Sequence, residues 1–351
     1  MDRILKAVEG HHMKTHPTVF YLFWRQGTAP RAEWIQSKDM PKEPAFGASV
    51  KWKEMRYDVY LATDYHCAPE EIHRSTTENP YKNTSFLKSH LQKSIRRSNS
   101  SRALKTATHF ADLDMPDFLR RLVIIALEDA LPLEGFSVLM WFTSAVSKGY
   151  RLSPGQFAWI LGYIHDLCKC KSYMQYPHHD EDEGSKGARA TPAPSRNLHA
   201  LIPAGRDLVY SILFRQAYGG MKGDARMCSA AATRWATLYH SRSAHLVHLE
   251  RTTKFITYPT MPLGKSEWFL AALDFHPCPS IIGAMWEKHD EFSEEEIRSA
   301  IWHCSSSVTD KVLIGEDGGQ RKGDDPALVN IWRAIKKDFM GYAKFMLDRA
   351  G

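Results

Sequence analysis

Between Asn83 and Ser172 the chain carries helix start and stop signals in such close succession that only short, tightly joined helices fit. "NTSFLKSHLQKSIRRS" opens at Asn83, Thr84 or Ser85, any of which accepts a hydrogen bond from an orphan N–H of a first turn. A second helix starts at Ser100 and runs to about Leu113. A third has Asp114 as its cap and Pro116 in the first turn, where the missing N–H costs nothing. Its residues Phe118, Leu122, Val123, Ile124, Ile125 and Leu127 are apolar nearly all round, which predicts burial. A fourth spans about Glu134 to Lys148 and stops at Gly149, a natural left-handed residue. A fifth follows Ser153-Pro154, with Gln156 at the capping-box position. Five short-looped helices predict an α-helical bundle.

Around this segment the pattern is looser. In residues 1–80 the runs "TVFYLFW" and "MRYDVYLAT" read as strands or buried turns separated by the Pro/Lys-rich "APRAEWIQSKDMPKEP", a small mixed lobe. Residues 177–195, "PHHDEDEGSKGARATPAPS", lack apolar periodicity and read as a linker or surface loop. Helices resume at about Asp207–Tyr218 and Asp224–His240. After a piece that reads as extended, "HLVHLERTTKFITYPT", come "PSIIGAMWEKH", "SEEEIRSAIWHCSS" with a Ser293/Glu296 capping box, and "PALVNIWRAIKKDFMGYAKFMLDRA". The expectation is a mainly α protein: a mixed lobe over 1–80, a helical domain over 81–176, a linker over 177–195 and a second helical domain over 196–351.

At 351 residues the chain is long enough for two domains. Its six cysteines are scattered and contain no CxxC pair, a usage that suits a reducing, intracellular compartment, nuclear or cytoplasmic. "MDRILKAVEGHHMK" lacks the apolar run of a secretory signal, and "LVIIAL" and "FSVLMWFTSAV" fall short of the ~20 residues that span a bilayer, so no membrane partner is expected.

The charge is unevenly placed. Residues 80–125 hold nine Lys/Arg against three Asp, an excess equal to the +6 of the whole chain. Clustered cations are the footprint of a phosphate-binding surface, and they also occur on solvated faces. The candidate phosphate contacts are Lys88, Lys93, Arg96, Arg97, Arg102 and Lys105. One or two of the ten tryptophans beside this segment are candidates to stack bases.

Other motifs are weaker. Gly264-Lys265-Ser266 resembles the end of a phosphate loop, but Pro259 stands where the first glycine belongs. His165-Asp166 has the form of a metal-binding pair, with His109 and Asp112 the only further ligands to suggest, and a catalytic metal needs at least three. "YPHHDEDEG" has metal-ligand chemistry in an acidic loop, and "LDFHPCPS" brings His276 near Cys278; both read better as a solvated loop and a rigid turn. There is no G-x-S-x-G elbow and no H-E-x-x-H. No catalytic residue, metal or cofactor is assigned.

The run "LQKSIRRSNSSRALKTATHFADLDMPDFLRRLVIIALEDALP" resembles the helical C-terminal region of the replication-associated recombination ATPases, the bacterial RarA/MgsA type and the eukaryotic Werner-helicase-interacting ATPase. Leu91-Gln92-Lys93-Ser94-Ile95-Arg96-Arg97 match one family element, and Arg120-Arg121-Leu122 with Ile125-Ala126-Leu127-Glu128-Asp129 a second. The resemblance covers about Ser85 to Ser172. It implies a clamp-loader-like collar that holds subunits in an oligomer, commonly a tetramer, in a replication or repair setting. The 80 residues upstream are too few for the ATPase domain, so ATP hydrolysis is not implied. Arg120 and Arg121 lie near a helix N-terminus, opposed to its dipole, and Glu128-Asp129 at the other end, so ion pairs within or between subunits are expected.

These residues leave three readings. The first is a non-catalytic, oligomer-forming DNA-associated protein in replication, recombination or mobile-element/viral DNA metabolism. The second is a structural scaffold subunit whose cations meet another protein subunit. The third is a metal-dependent phosphohydrolase around His165-Asp166.

Overall fold

The computed structural model describes residues 18–25, 27–41, 43–52, 57–66, 82–176, 203–218, 222–241, 267, 280–314 and 325–350. The chain is mostly helical with a small mixed sheet near its N-terminus. It forms two compact units, each discontinuous in sequence: 1–70 with 132–153 and 176–250, and 71–131 with 154–175 and 251–351. This partition interleaves segments that the sequence divisions at 80, 176 and 195 set one after another. The linker 177–195, the extended piece, Gly264-Lys265-Ser266 and nearly all of "LDFHPCPS" and "YPHHDEDEG" lie outside the described residues.

The first unit is built on strands β1 (Val19–Phe23), β2 (Arg31–Ile35), β3 (Phe46–Trp52) and β4 (Tyr57–Thr63), in the order β2-β1-β4-β3. The outer pairs are antiparallel and the central β1–β4 pair is parallel. Strand alternation sends Phe20, Leu22, Trp34, Val50, Trp52, Val59 and Leu61 to one face, all buried. Against it lie helix α4 (Phe136–Val146) and helix α6 (Pro203–Ala217). Trp34 stacks on Phe20 at 4.4 Å between centroids and meets Phe214 edge-on at 5.3 Å; Tyr210 lies 5.6 Å away. Truncating a buried ring of this size costs roughly 3–5 kcal/mol, so this cluster is the unit's main adhesive.

Strand β2 is an edge, and its outward Trp34 N–H is satisfied by α6: it donates to Asp207 Oδ1 at 3.0 Å, while Trp34 Nε1 donates to Ser211 Oγ at 3.1 Å. Burial raises the Asp207 carboxyl to about 6, against the opposing pull of the Trp34 N–H and Arg206. Helix α7 (Lys222–His240) packs on α6, and its Trp235 donates to the Tyr176 hydroxyl at 2.9 Å.

The expected five-helix bundle is corrected here. Helix α4 belongs to the sheet unit, because Phe136 to Ala145 are buried with no polar face to leave in water, save the half-buried Ser137. Its Trp141 donates to the Phe20 carbonyl at 2.9 Å. The helix stops where expected: Gly149 has φ +91°, Tyr150 N donates to the Ala145 carbonyl, and Gly149 N to that of Val146.

The second unit holds helices α1 (Thr84–Arg96), α2 (Ser100–Leu113), α3 (Met115–Glu128) and α5 (Pro154–Lys169), packed on one another through α1 and α2. Asn83 and Asp114 cap α1 and α3 as the sequence reads, and Asn99, one residue before the expected start at Ser100, caps α2; each accepts a first-turn N–H. Farther along are α8 (Ser280–Trp286), α9 (Glu294–Ile301) with its Ser293/Glu296 capping box, a π turn at Trp302–Ser306, and α10 (Pro326–Ala350). Strand β5 (Ser172–Tyr173) pairs in parallel with β6 (Val312–Leu313). Among the described residues no helix is long and apolar enough to cross a membrane.

Gly149 has open space where a Cβ would stand, so Gly149→Ala carries only the left-handed backbone penalty. A loss of about 1–2 kcal/mol is expected, read as a lower urea midpoint with unchanged slope.

Candidate functional site

Helix α1 ends in a Schellman turn. Ser98, at φ +55°, donates its N–H to the Ile95 carbonyl, and Asn99 N donates to Ser94 O at 2.9 Å while its side chain caps α2. The chain therefore reverses within three residues and stacks α1 on α2. Arg96 and Arg97 are left at the C-terminal end of α1, where cations suit the helix dipole.

Both arginines turn inward. Arg96 Nε pairs with Asp129, whose side chain is only 4% exposed, and Arg96 Nη1 donates to the Ser306 carbonyl at 2.6 Å. Arg97 Nη2 donates to the Ser305 carbonyl at 2.6 Å. The π turn presents these two carbonyls, so two guanidiniums from α1 cap the end of the α9 segment. The Arg96 carbonyl in turn accepts from Thr309 Oγ1 at 3.1 Å and Asp310 N at 3.3 Å.

The network continues through Gln92. Its Nε2 donates to Glu128 Oε2 at 2.9 Å and Asp129 Oδ2 at 2.8 Å, and its Oε1 accepts from Arg121. Arg121 also lies 3.5 Å from Glu128. Within the chain, then, Arg121 reaches Glu128 and Asp129 is held by Arg96, while Arg120 is exposed. Beside them Lys311 is 1% exposed and donates to the Leu167 carbonyl at 2.6 Å, closing the last turn of α5. Burial lowers its ammonium pKa, against the nearby Cys170, Cys168 and Asp129.

The remaining candidate phosphate contacts are engaged as well. Lys93 is buried and donates to Ser89 Oγ at 2.7 Å. Lys88 meets Asp117 at 2.5 Å, and Lys105 pairs with Glu267. Arg102 is half-buried and bears on His90. Sequence density singles out these cations, but it carries no sign of Ser305, Ser306, Lys311 or Glu267, which arrive from some 140 to 210 residues away.

Two histidines sit behind this network. His90 Nδ1 shares a 2.7 Å hydrogen bond with Thr106 Oγ1, and burial, then Arg102, Lys93 and His109, lowers its pKa to about 3. Burial alone lowers His109 to about 4. His165, the proposed metal ligand, is also lowered by burial and by Lys169, with Asp166 opposing. Among the described residues no group of three or more His, Cys, Asp or Glu is placed to hold a metal ion. Of the tryptophans, Trp34, Trp52, Trp141, Trp159 and Trp235 are core residues, while Trp286 and Trp302 are exposed.

No family model, curated protein or solved structure matches the chain. The resemblance over Ser85 to Ser172 rests on its motif residues alone.

Replacing Arg96 with Met strands a buried carboxylate and a carbonyl, and a loss of about 3–5 kcal/mol is expected. Arg96→Met/Asp129→Leu removes both charges and should recover a substantial part, so a denaturation cycle with a near-zero coupling energy would contradict the tie. The histidines give a pH signature. Both bind protons less well folded than unfolded, so stability is full above the unfolded pKa near 6.5 and falls toward pH 4. The slope is up to about 1.4 kcal/mol per pH unit for each. Replacing His109 by Leu should flatten this slope in melts run from pH 8 to pH 4.

Proposed function

We propose that the chain is a non-catalytic, oligomer-forming scaffold subunit whose second unit contains a helical module of the clamp-loader-collar kind. One observation carries this reading: the two elements that resemble the collar family, Leu91–Arg97 and Arg120–Asp129, are each other's hydrogen-bond partners through Gln92, Arg96, Arg121, Glu128 and Asp129. Apart from the exposed Arg120, the charges that take part in these contacts build the module. Arg96, Arg97, Lys88 and Lys105 already hold carboxylates or carbonyls of their own chain, and freeing the buried Arg96 from Asp129 to meet a phosphate would cost several kcal/mol. The scaffold reading therefore stands ahead of phosphate binding by Lys88, Lys93, Arg96, Arg97, Arg102 and Lys105.

Arg120 is the member of the Arg120-Arg121 pair that is exposed and left to reach a neighbouring subunit. Sedimentation velocity of the full chain is expected to show self-association that strengthens with concentration, and Arg120→Glu should weaken it while leaving the circular dichroism and melting temperature unchanged. A chain that stays monomeric throughout the micromolar range would overturn the proposal.

A further inference from the structure

The cations named by sequence density are spent internally, yet a second set on α10 is not. Arg333, Lys336, Lys337 and Lys344 are all exposed, and among the described residues none has a carboxylate within ion-pair distance. At 100° per residue they fall within an arc of about 100°, a single stripe about 16 Å long. Arg333 donates to Asn330 Oδ1 at 3.2 Å, a contact within its own turn. Asp338 lies on a different side of α10, held by Lys288 at 2.7 Å and His289 at 3.2 Å. On α10 itself, Asp348, one turn beyond Lys344, is the exposed carboxylate nearest the line.

We infer that this outer face of α10 is a binding surface for the phosphate backbone of nucleic acid. Three partners could satisfy a cationic stripe, and the structure favours one. A helix that lies in a membrane interface needs an apolar side to insert. The apolar side of α10, Ile331, Ile335, Phe339, Ala343 and Leu347, is already buried in its own unit. Protein interfaces are depleted in lysine and are anchored by a buried apolar centre. This stripe is three-quarters lysine, and Met340 is its one large apolar residue. A row of compact point charges along a straight helix suits a polyanion, which duplex DNA supplies at about one charge per 1.7 Å of axis. Lysine contacts to phosphate carry no base information, so binding on this face is independent of sequence. The inference does not depend on the scaffold reading, whose residues lie on α1 and α3.

The test is fluorescence anisotropy of the full chain with a labelled duplex and a labelled single strand of random sequence over a salt series. Four phosphate contacts predict a slope of log affinity against log salt of about −3 to −4. Lys337→Glu/Lys344→Glu should cut the slope by about two and weaken binding at least tenfold at low salt. Lys88→Gln/Lys105→Gln, on the internally paired cations, should leave it unchanged. Since the α10 residues are exposed, circular dichroism should show the Lys337→Glu/Lys344→Glu chain folded, and the same measurement checks the Lys88→Gln/Lys105→Gln chain; the neutral Lys336→Gln/Lys337→Gln/Lys344→Gln chain repeats the test without charge reversal. Absent binding, or binding that the α10 variants do not alter, overturns the inference. So does loss, in the same variants, of adhesion to phosphatidylserine vesicles without any effect on nucleic acid, which would assign the face to lipid headgroups. Salt-sensitive self-association abolished by Lys337→Glu/Lys344→Glu, without nucleic-acid binding, would assign it to a second copy of the chain.

Discussion

The Arg96 guanidinium, held between the Asp129 carboxylate and the Ser306 carbonyl, is the contact on which the second unit depends. It ties α1 to the end of α3 and to the segment after α9, which are separated by tens to hundreds of residues. Such a tie closes long loops, and the entropy of closing them grows only slowly with length, so a few strong contacts suffice once the helices are formed. The same segment then adds the Arg97 contact to Ser305, the Thr309 and Asp310 contacts to the Arg96 carbonyl, and the buried Lys311 on the end of α5. Positive charge is used repeatedly as a cap for the negative ends of helices, because desolvated carbonyls at those ends have no partner within the helix.

In the first unit an aromatic cluster has the corresponding role. Trp34 gathers Phe20, Trp52, Tyr210 and Phe214 around itself, and its two N–H groups are both satisfied by α6. The carboxylate of Asp207 closes an otherwise open sheet edge, a position that invites pairing with another chain if left bare. The functional readings follow from where polar capacity is left over. The charges of Arg96, Arg97, Arg121, Glu128 and Asp129 are consumed in building the module, whereas Arg120 and those on the outer face of α10 are not.

Much of the helical half is legible in the sequence. Asn83, Asp114, Ser293 with Glu296, and Gly149 mark their helix ends as local chemistry requires, since a cap depends on residues two or three positions away. Strands β1 and β4 correspond to the runs "TVFYLFW" and "MRYDVYLAT", but β2 lay unread inside a Pro/Lys-rich stretch. Its pairing with β1 depends on Phe20 opposite Trp34, a long-range match that composition does not reveal. Helix α4 is legible as a helix, though not as a buried partner of the sheet.

What the amino-acid sequence determined by itself was the set of helices, their caps and the dense positive charge between residues 80 and 125, because these depend on neighbours in the chain. What only the tertiary structure decided was the use of that charge. The partners of Arg96, Arg97, Lys105 and Lys311 stand 33 to 210 residues away, and no local rule could tell a cation facing water from one closing a distant helix end.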